Sequence, residues 1–395
     1  MPQIFNIRTT FTLAALVFLH GCMTTPQPNT AAKPEVTTAR FEAASWSQLP
    51  GWQTDQAHEA WQAFLQSCNA KSAPAALREA CVAAKPLVIS NPEQARSFFE
   101  THFTPYRIIR NEGPATANTG LITGYYEPLL RGSRQRSATF ATALYATPDD
   151  MLALEIGDVF PEMQGKRVRV RLQGKKVLPY YDRAALQNNP SLKGKELVWV
   201  DSAVDAFFLE VQGSGRVQLN DGSVIRLAYA DQNGRPYRSI GRYLVDKGEL
   251  TLAEASGQSI RSWMQANPSR MQEVFNSNPS VVFFREERVD DPSVGPKGSL
   301  GVPLTTGRSV AVDASFIPLG MPLFLSTTYP ATATPLQRLV IAQDTGGAIR
   351  GPVRADLFWG FGDDAGESAG LMKQQGQLWL LWPRGTELPI PTNSP

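Results

Sequence analysis

Beyond residue 120 the chain consists of short apolar runs separated by turn residues, a pattern that restricts it to folds rich in β-strands. Residues 167–172 (RVRVRL) alternate charged and apolar side chains, and the Gln-Gly pair that follows offers a turn into a partner strand. Residues 216–229 surround an Asn-Asp-Gly turn in the same way. The 31 glycines and 30 prolines of the 395-residue chain suit a fold with many turns. We therefore expect a mainly β protein.

Helical periodicity is confined to two other parts of the chain. Residues 57–68 place apolar side chains on one helical face, and two further helices are expected to open at Ser72-Ala73-Pro74 and at Asn91-Pro92. Helices are also expected at 252–265 and at 269–277, the latter capped by Ser269. The remaining short apolar runs predict strands at 121–126, 197–200, 281–285, 308–312, 322–325, 338–342 and 377–382.

The N-terminus has the features of a targeting segment. Arg8 precedes an apolar run, Phe11 to Leu19, which is about half the length of a membrane-spanning helix. A small residue directly before Cys22 resembles the bacterial lipoprotein box, which implies cleavage after residue 21 and lipidation of Cys22. Met23, where an Asp would favour the inner membrane, indicates the outer membrane. The alternative is an uncleaved anchor or a buried helix.

Residues 22–44 are expected to form a tether, since they are rich in Thr, Pro and Ala and lack hydrophobic periodicity. After Cys22 the only cysteines are Cys68 and Cys81. In an oxidising periplasm such a pair favours a disulfide over a metal site, with two buried free thiols as the alternative. Neither cysteine has a plausible base beside it, which argues against a thiol nucleophile.

The shortage of histidine narrows the possible chemistry. After residue 21 the chain holds only His58 and His102, both on predicted helices. The sequence therefore argues strongly against Ser-His-Asp triads, Cys-His pairs and His-rich metal sites, and no phosphate-binding GxxxxGK[ST] loop occurs. The net charge of +2 gives no sign of nucleic-acid binding. We expect no metal or cofactor, and carboxyl groups remain for proton chemistry.

The densest cluster of polar and glycine residues is 343–362 (QDTGGAIRGPVRADLFWGFG), which follows the apolar strand ending at Ala342. It holds Asp344 and Asp356. Gly346 and Gly347 allow close approach of a ligand, and Trp359 offers a face suited to stacking on a sugar ring. The alternative is a surface loop in which the aspartates only cap turns.

Asp344 also begins the Asp-Thr-Gly tripeptide of aspartic proteases. Those enzymes need two such aspartates that share a proton, and the chain has no second copy. The two residues that follow, Gly347 and Ala348, also lack the usual Ser or Thr. The sequence therefore argues against a protease.

Several blocks together resemble the membrane-bound lytic murein transglycosylase A family. They run in order over roughly residues 120–383, most of the chain after Cys22. The blocks are 124–128 (GYYEP), 201–217 (DSAVDAFFLEVQGSGRV), 229–242 (YADQNGRPYRSIGR), 278–285 (NPSVVFFR), 309–325 and 338–372.

The resemblance implies a double-psi β-barrel built from both ends of the chain, with a smaller β domain inserted and a glycan groove between them. The expected division is a signal peptide (1–21), the tether (22–44), the helical part of the barrel domain (45–128), the inserted β domain (129–243) and the C-terminal part of the barrel domain with the catalytic loop (244–395).

The resemblance also implies cleavage of the β-1,4 bond between N-acetylmuramic acid and N-acetylglucosamine in peptidoglycan. The muramoyl C6 hydroxyl closes a 1,6-anhydro ring, so the reaction is that of a lyase. By resemblance, the Asp of Ala355-Asp356-Leu357 is the single catalytic carboxyl, acting first as acid and then as base. Asp344 is expected to support it. Whether the charge of Asp344 or that of Arg350 and Arg354 dominates its pKa is left open by the sequence.

Further residues are candidates for the groove, although strand tyrosines often belong to a core. The candidate substrate-binding residues are Tyr125, Tyr126, Glu127, Gln212, Ser214, Arg216, Gly346, Gly347 and Trp359. Asp205 and Glu210 are alternative carboxyls, and Asp313 is expected to be a turn or barrel residue.

We expect a periplasmic monomer, held at the outer membrane by its lipid, which acts on peptidoglycan strands and not on nucleic acid. Other cell-wall enzymes are possible partners. A non-catalytic peptidoglycan-binding lipoprotein is the alternative from a different functional class.

Overall fold

A computed structural model describes residues 37–112, 115–166, 168–289 and 291–389. The predicted signal peptide, Cys22 and most of the predicted tether lie outside these residues. The last part of that tether, Thr37–Ala43, forms a strand, because its backbone pairs with residues 106–112. No helix in the described ranges is long and apolar enough to cross a bilayer.

The described part of the chain is mainly β, as predicted. In chain order its strands are β1 Thr37–Ala43, β2 Phe103–Glu112, β3 Ala115–Ala117, β4 Gly120–Glu127, β5 Leu129–Ser133, β6 Thr142–Tyr145, β7 Leu152–Leu154, β8 Val168–Gln173, β9 Lys176–Pro179, β10 Glu196–Val200, β11 Ser214–Leu219, β12 Val224–Gln232, β13 Val282–Arg288, β14 Ser309–Val312, β15 Pro322–Thr328, β16 Pro335–Asp344, β17 Ala355–Phe361 and β18 Lys373–Pro383.

Helices separate several of these strands. The α-helices are α1 Trp61–Cys68, α2 Arg78–Ala84, α3 Pro92–His102, α4 Arg183–Leu186, α5 Ala203–Gln212, α6 Ile240–Asp246, α7 Gly257–Ala266, α8 Met271–Ser277 and α9 Asp363–Leu371. Short 3-10 helices occur at Trp46–Gln48, Trp52–Thr54, Ala57–Ala60, Ala75–Leu77, Pro161–Met163, Pro190–Leu192 and Pro268–Arg270.

Six strands form a closed barrel, in the order β18-β15-β16-β14-β17-β4, and β4 closes the ring by pairing with β18. The pairs β4–β17 and β14–β16 are parallel, whereas the other pairs of the ring are antiparallel. Strands β1, β2 and β3 extend the sheet from β18. The barrel draws on residues 120–127 and 309–383, which confirms a barrel built from both ends of the chain with a β region inserted between.

The barrel strands are apolar because both of their faces are covered. Every side chain of β14 is buried, as are residues 339–343 of β16. Helix α1 lies against β16, where the buried Gln343 amide donates to the Ala63 carbonyl and to Ser67 Oγ. Trp52, Phe324 and other aromatic rings fill the space between the N-terminal helices and the barrel.

The N-terminal helices α1, α2 and α3 and the later helix α8 lie where they were predicted, but two of the predicted caps are absent. Asn91 caps α3 by accepting from the Gln94 N–H (2.9 Å). Ser72 and Ser269 do not act as caps, since α2 and α8 each begin after a 3-10 turn. A disulfide joins Cys68 at the end of α1 to Cys81 in α2, with Cα atoms 5.4 Å apart.

A second sheet has the order β13-β12-β11-β5-β10-β6, and a small third sheet has the order β7-β8-β9. The second sheet extends past residue 243, the expected end of the insert, because β13 pairs along β12. Helix α5, which has no counterpart among the predicted helices, packs against both β4 and the second sheet.

Candidate active site

A cleft of about 310 Å3 runs between the barrel and the region of the second sheet. One wall consists of β4, β14, β17 and the glycine-rich segment that follows β16. The opposite wall consists of the end of α5, strand β12 and the segment that leads into β13. The cleft therefore lies where residues from both ends of the chain meet the inserted region.

Asp356 lies on β17 at the barrel wall of this cleft. Its strand neighbours are Thr123 on β4 and Ala311 on β14. Thr123 Oγ1 donates to Asp356 Oδ1 over 2.6 Å. Burial raises the pKa of Asp356 to about 6, the Thr123 hydroxyl and the Arg354 charge lower it, and the Asp344 charge raises it. Near neutral pH this half-buried carboxyl is thus able both to give and to take a proton.

Asp344 is the last residue of β16, lies on the same wall, and accepts hydrogen bonds at both carboxylate oxygens. Its Oδ1 accepts from the Ser299 N–H, the Ser299 hydroxyl and the Thr345 N–H, each over 2.8 Å. Its Oδ2 accepts from the Tyr125 hydroxyl over 3.1 Å. Burial raises the pKa of Asp344, and the donors of Ser299, Thr345 and Tyr125 oppose that rise. The arrangement fixes the Asp344 carboxyl in place and presents its charge to Asp356.

Tyr125 contributes a hydrogen-bond donor to the cleft wall. Its ring packs against Phe358 with 5.3 Å between the ring centroids. Burial, Asp344 and Asp356 all raise the pKa of Tyr125 well above its ordinary value, so the phenol keeps its proton. The hydroxyl therefore acts as a donor to Asp344 throughout the physiological pH range.

Other predicted residues also line the cleft. Gly346 and Gly347 lie in the segment after β16, and the backbone of Gly347 is exposed. Gln212, at the end of α5, lines the opposite wall and accepts from the Tyr126 N–H over 3.1 Å. These residues, with Tyr125, Asp344 and Asp356, are the predicted site residues that the fold brings together.

The fold places Glu127 and Arg216 away from the cleft, in a buried ion cluster. Glu127 has no exposed side-chain surface, and it accepts from Arg216 Nε (2.8 Å) and Arg226 Nε (2.5 Å). Both arginines also donate to the Val294 carbonyl. Because β4 carries Glu127 and the second sheet carries both arginines, the cluster joins barrel to insert and leaves no face of Glu127 for a sugar.

Tyr126, Ser214 and Trp359 do not line the cleft either. Tyr126 follows Tyr125 on β4 and so projects from the other face, toward Arg261. Trp359 is three residues from Asp356 on β17, which likewise directs it to the opposite face. Its indole N–H donates to Met372 Sδ, and its ring packs near Tyr329.

The two alternative carboxyls are held by arginines. Glu210 lines the cleft, but Arg183 binds both of its oxygens, over 2.9 and 2.8 Å. Asp205 is paired with Arg261 and does not line the cleft. Asp313 is buried and accepts from the Ser315 and Gly351 N–H groups, as a turn residue does.

Four residues that line the cleft were not predicted, namely Arg183, Tyr229, Tyr237 and Asn278. Thr123 and Ser299, which bind the two aspartates, were not predicted either. Arg354, which was expected only to act on the pKa of Asp356, also lines the cleft. One of them had a usable signal: Thr123 is two residues from Tyr125 on one strand, and strand alternation places both on one face. Within the described ranges, no group of three His, Cys, Asp or Glu side chains is arranged to hold a metal ion.

Comparison with known proteins identifies the family. The model of the MltA specific insert domain matches residues 121–285, and that of the 3D domain matches residues 308–382. Membrane-bound lytic murein transglycosylase A of Escherichia coli (strain K12) is 33% identical over 278 residues, which cover 68% of this chain and 67% of that protein.

Solved structures agree with this match. The crystal structure of MltA from Neisseria gonorrhoeae has a TM-score of 0.75 and 35% identity, covering 92% of this chain and 98% of that one. The structure of E. coli MltA with bound chitohexaose has a TM-score of 0.59 and 25% identity, covering 89% and 95%. The chain therefore belongs to the membrane-bound lytic murein transglycosylase A family.

Proposed function

We propose that the protein is a peptidoglycan lytic transglycosylase that cleaves the β-1,4 bond between N-acetylmuramic acid and N-acetylglucosamine and leaves a 1,6-anhydro-muramoyl end. The observation that carries this proposal is a half-buried carboxyl, Asp356, with a pKa of about 6 at the wall of a cleft. Such a group is protonated in a useful fraction of molecules near neutral pH.

One carboxyl suffices for this reaction because the substrate supplies the nucleophile. Ordinary glycosidases need two carboxyl groups, one to protonate the leaving oxygen and one to act as nucleophile or base. Here protonated Asp356 gives its proton to the glycosidic oxygen as the bond to muramoyl C1 breaks. The resulting carboxylate then takes the proton of the muramoyl C6 hydroxyl, whose oxygen attacks C1 and closes the anhydro ring. The step consumes no water, and the enzyme is a carbon–oxygen lyase.

Asp344 supports this cycle through its position and charge. Its donors Ser299, Thr345 and Tyr125 hold it still, and its charge favours the protonated form of Asp356 before bond cleavage. A general acid of this kind contributes about 10²–10⁴-fold to the rate. Distortion of the muramoyl ring and stabilisation of positive charge at C1 would provide the remainder.

The glycan strand would lie along the cleft. Its lining offers both hydrogen-bond donors and acceptors, from Tyr125, Gln212, Gly346 and Gly347. A relative of this family has been solved with bound chitohexaose, a chain of N-acetylglucosamine units, which supports a glycan as the occupant. Peptidoglycan is thus the proposed partner, in murein turnover and cell-wall organisation.

We further propose that the enzyme works in the periplasm, attached to the outer membrane by a lipid on Cys22. The support is the sequence around Cys22 and the naming of relatives as membrane-bound. Mass spectrometry of the N-terminal peptide tests this proposal, with Cys22→Ser as control. An unmodified Cys22 in the mature chain would contradict it.

Digestion of purified murein sacculi tests the activity. Release of 1,6-anhydro-muropeptides is the expected result. Reducing ends would indicate hydrolysis instead, and binding without release would favour the non-catalytic peptidoglycan-binding lipoprotein. Asp356→Asn keeps the volume and the bond from Thr123, so it should bind sacculi and release almost nothing. Substantial release by this variant would exclude Asp356 as the acid and direct attention to Asp344.

A further inference from the structure

Arg354 is a cleft residue whose charge the steps above do not use. It lies directly before β17, two residues from Asp356, and it lines the cleft. Its Nη1 donates to the Ala355 carbonyl (2.7 Å) and to the Leu121 carbonyl (3.3 Å). Its Nε and Nη2 donate to no acceptor in the described part of the chain. Nη1 of the guanidinium is therefore bound to the backbone, whereas Nε and Nη2 remain available as hydrogen-bond donors.

The charged side chains Arg183, Glu210 and Asp344, which also line the cleft, already have hydrogen-bond partners. Arg183 on the opposite wall binds both oxygens of Glu210 and also donates to the Asn278 and Ser280 carbonyls. Asp344 accepts from four donors. Arg354 forms no ion pair with any described residue, and only Asp356 has a charge that acts on it. When Asp356 carries its proton, no described carboxylate is paired with the guanidinium of Arg354.

We propose that Arg354 binds a carboxylate of the substrate, on the branch that distinguishes a muramoyl residue from N-acetylglucosamine. This inference rests on the proposed function, because it places the muramoyl ring beside Asp356. The branch is a lactyl ether at C3, which ends in a carboxylate or continues into a peptide that bears carboxylates. A guanidinium with free Nε and Nη2 has the geometry that pairs with a carboxylate.

Binding at Arg354 also links substrate recognition to the protonation of Asp356. The charge of Arg354 lowers the pKa of Asp356 in the free enzyme. A substrate carboxylate on Arg354 neutralises that charge, so the occupied cleft favours the protonated acid that the first step requires. A neutral chitin chain lacks this carboxylate and leaves Asp356 under the influence of the cation.

The test compares three glycans in the Asp356→Asn background, where no cleavage occurs. Chitohexaose has no carboxylate, peptide-free murein strands carry lactyl carboxylates, and intact strands carry peptide carboxylates. Adding Arg354→Gln should weaken binding of the carboxylate-bearing strands roughly tenfold, the effect of losing one charged hydrogen bond. Chitohexaose affinity should stay within about twofold. Arg350→Gln removes an exposed charge that does not line the cleft and serves as the matched control.

The ligands distinguish the two sources of the carboxylate. A loss with peptide-free strands alone assigns the lactyl carboxylate, and a loss with intact strands alone assigns a peptide carboxylate. A loss with both kinds of strand shows that Arg354 accepts either carboxylate. An equal loss for chitohexaose, no loss for either kind of strand, or the same loss in Arg350→Gln overturns the proposal. Should Arg354→Gln fail to fold, salt titration of the Asp356→Asn protein replaces it, because salt must then weaken murein binding more than chitohexaose binding.

Failure of the proposed function is recognised separately. In that case the unsubstituted protein would not convert sacculi to anhydro products, whatever the binding results. If Arg354→Gln selectively loses murein binding and the unsubstituted protein is inactive on sacculi, the carboxylate site stands but the proposed enzymatic activity does not.

Discussion

Replacing Asp356 by Asn should stabilise the protein at alkaline pH and have almost no effect on stability at acid pH. The carboxyl has a pKa of about 6 in the folded protein, against an ordinary value of 3.8. Because the folded state disfavours the ionised form, ionisation weakens folding as the pH rises from about 4 to about 6. The full cost applies above pH 6, and none applies below the pKa of the unfolded chain.

The size of this effect follows from the displacement of the pKa. About two pH units correspond to about 3 kcal/mol in the free energy of unfolding. Asn has the same shape as the acid, carries no charge, and still accepts the hydrogen bond from Thr123 Oγ1. The variant should therefore gain up to about 3 kcal/mol at pH 8 and close to nothing at pH 4.

Urea unfolding of both proteins at pH 4 and pH 8 measures this difference. Asp158→Asn is the matched control, because Asp158 is exposed and its substitution should change the free energy by less than about 0.5 kcal/mol at either pH. No gain for Asp356→Asn at pH 8 would contradict an ionisation cost at this site. An equal gain at both pH values would contradict it too, since a gain independent of pH would come from packing and not from ionisation.

Three further predictions concern activity and stability. The value of kcat/KM should fall as the pH rises through about 6, because Asp356 then loses its proton. Thr123→Val should move that fall to higher pH, because it removes the donor that favours the ionised carboxyl. An unchanged pH profile would contradict this role of Thr123. Replacing both Cys68 and Cys81 by Ser should lower the free energy of unfolding by about 3 kcal/mol, as measured by urea unfolding, because the bond closes a loop of 13 residues. Glu127→Gln should cost about 3 kcal/mol or more by the same measurement, since two buried guanidinium groups lose their counter-charge; a cost near zero would show that the cluster is hydrated.

Every barrel strand except β17, and the N-terminal helices, were accessible from the sequence as apolar runs or one-sided periodicity. Strands β1, β2, β3, β5, β6 and β7 were not predicted. Helix α5 was missed because its buried residues, among them Val204, Phe207 and Leu209, lie on more than one face. Helix α9 was missed for another reason. Its Gly366 and Gly370 allow close packing against Tyr126 and Gln258, so it has no apolar stripe to detect.

The candidate site was only partly predictable because its contacts join residues that are far apart in the chain. The bond from Tyr125 to Asp344 spans 219 residues, and local periodicity carries no information about it. Interpreting 343–362 as one glycine-rich cluster also concealed strand β17 and its alternation. That alternation turns Trp359 away from the cleft, while Asp356 faces it. The burial that raises the pKa of Asp356 is a property of the assembled fold alone.

Closure of the barrel by β4 determines when the site comes into existence during folding. Strand β4 pairs with β17 and with β18, and the hydrogen bond between Thr123 and Asp356 spans 233 residues. Loop closure over such a distance is slow, whereas hairpins such as β11–β12 form from neighbouring residues. The insert can therefore order early, but Asp356 acquires its buried surroundings only when β17 and β18 have paired with β4. An emerging chain that ends before residue 373 lacks β18 and cannot close the ring, so the capacity to cut a glycan arises at the end of folding.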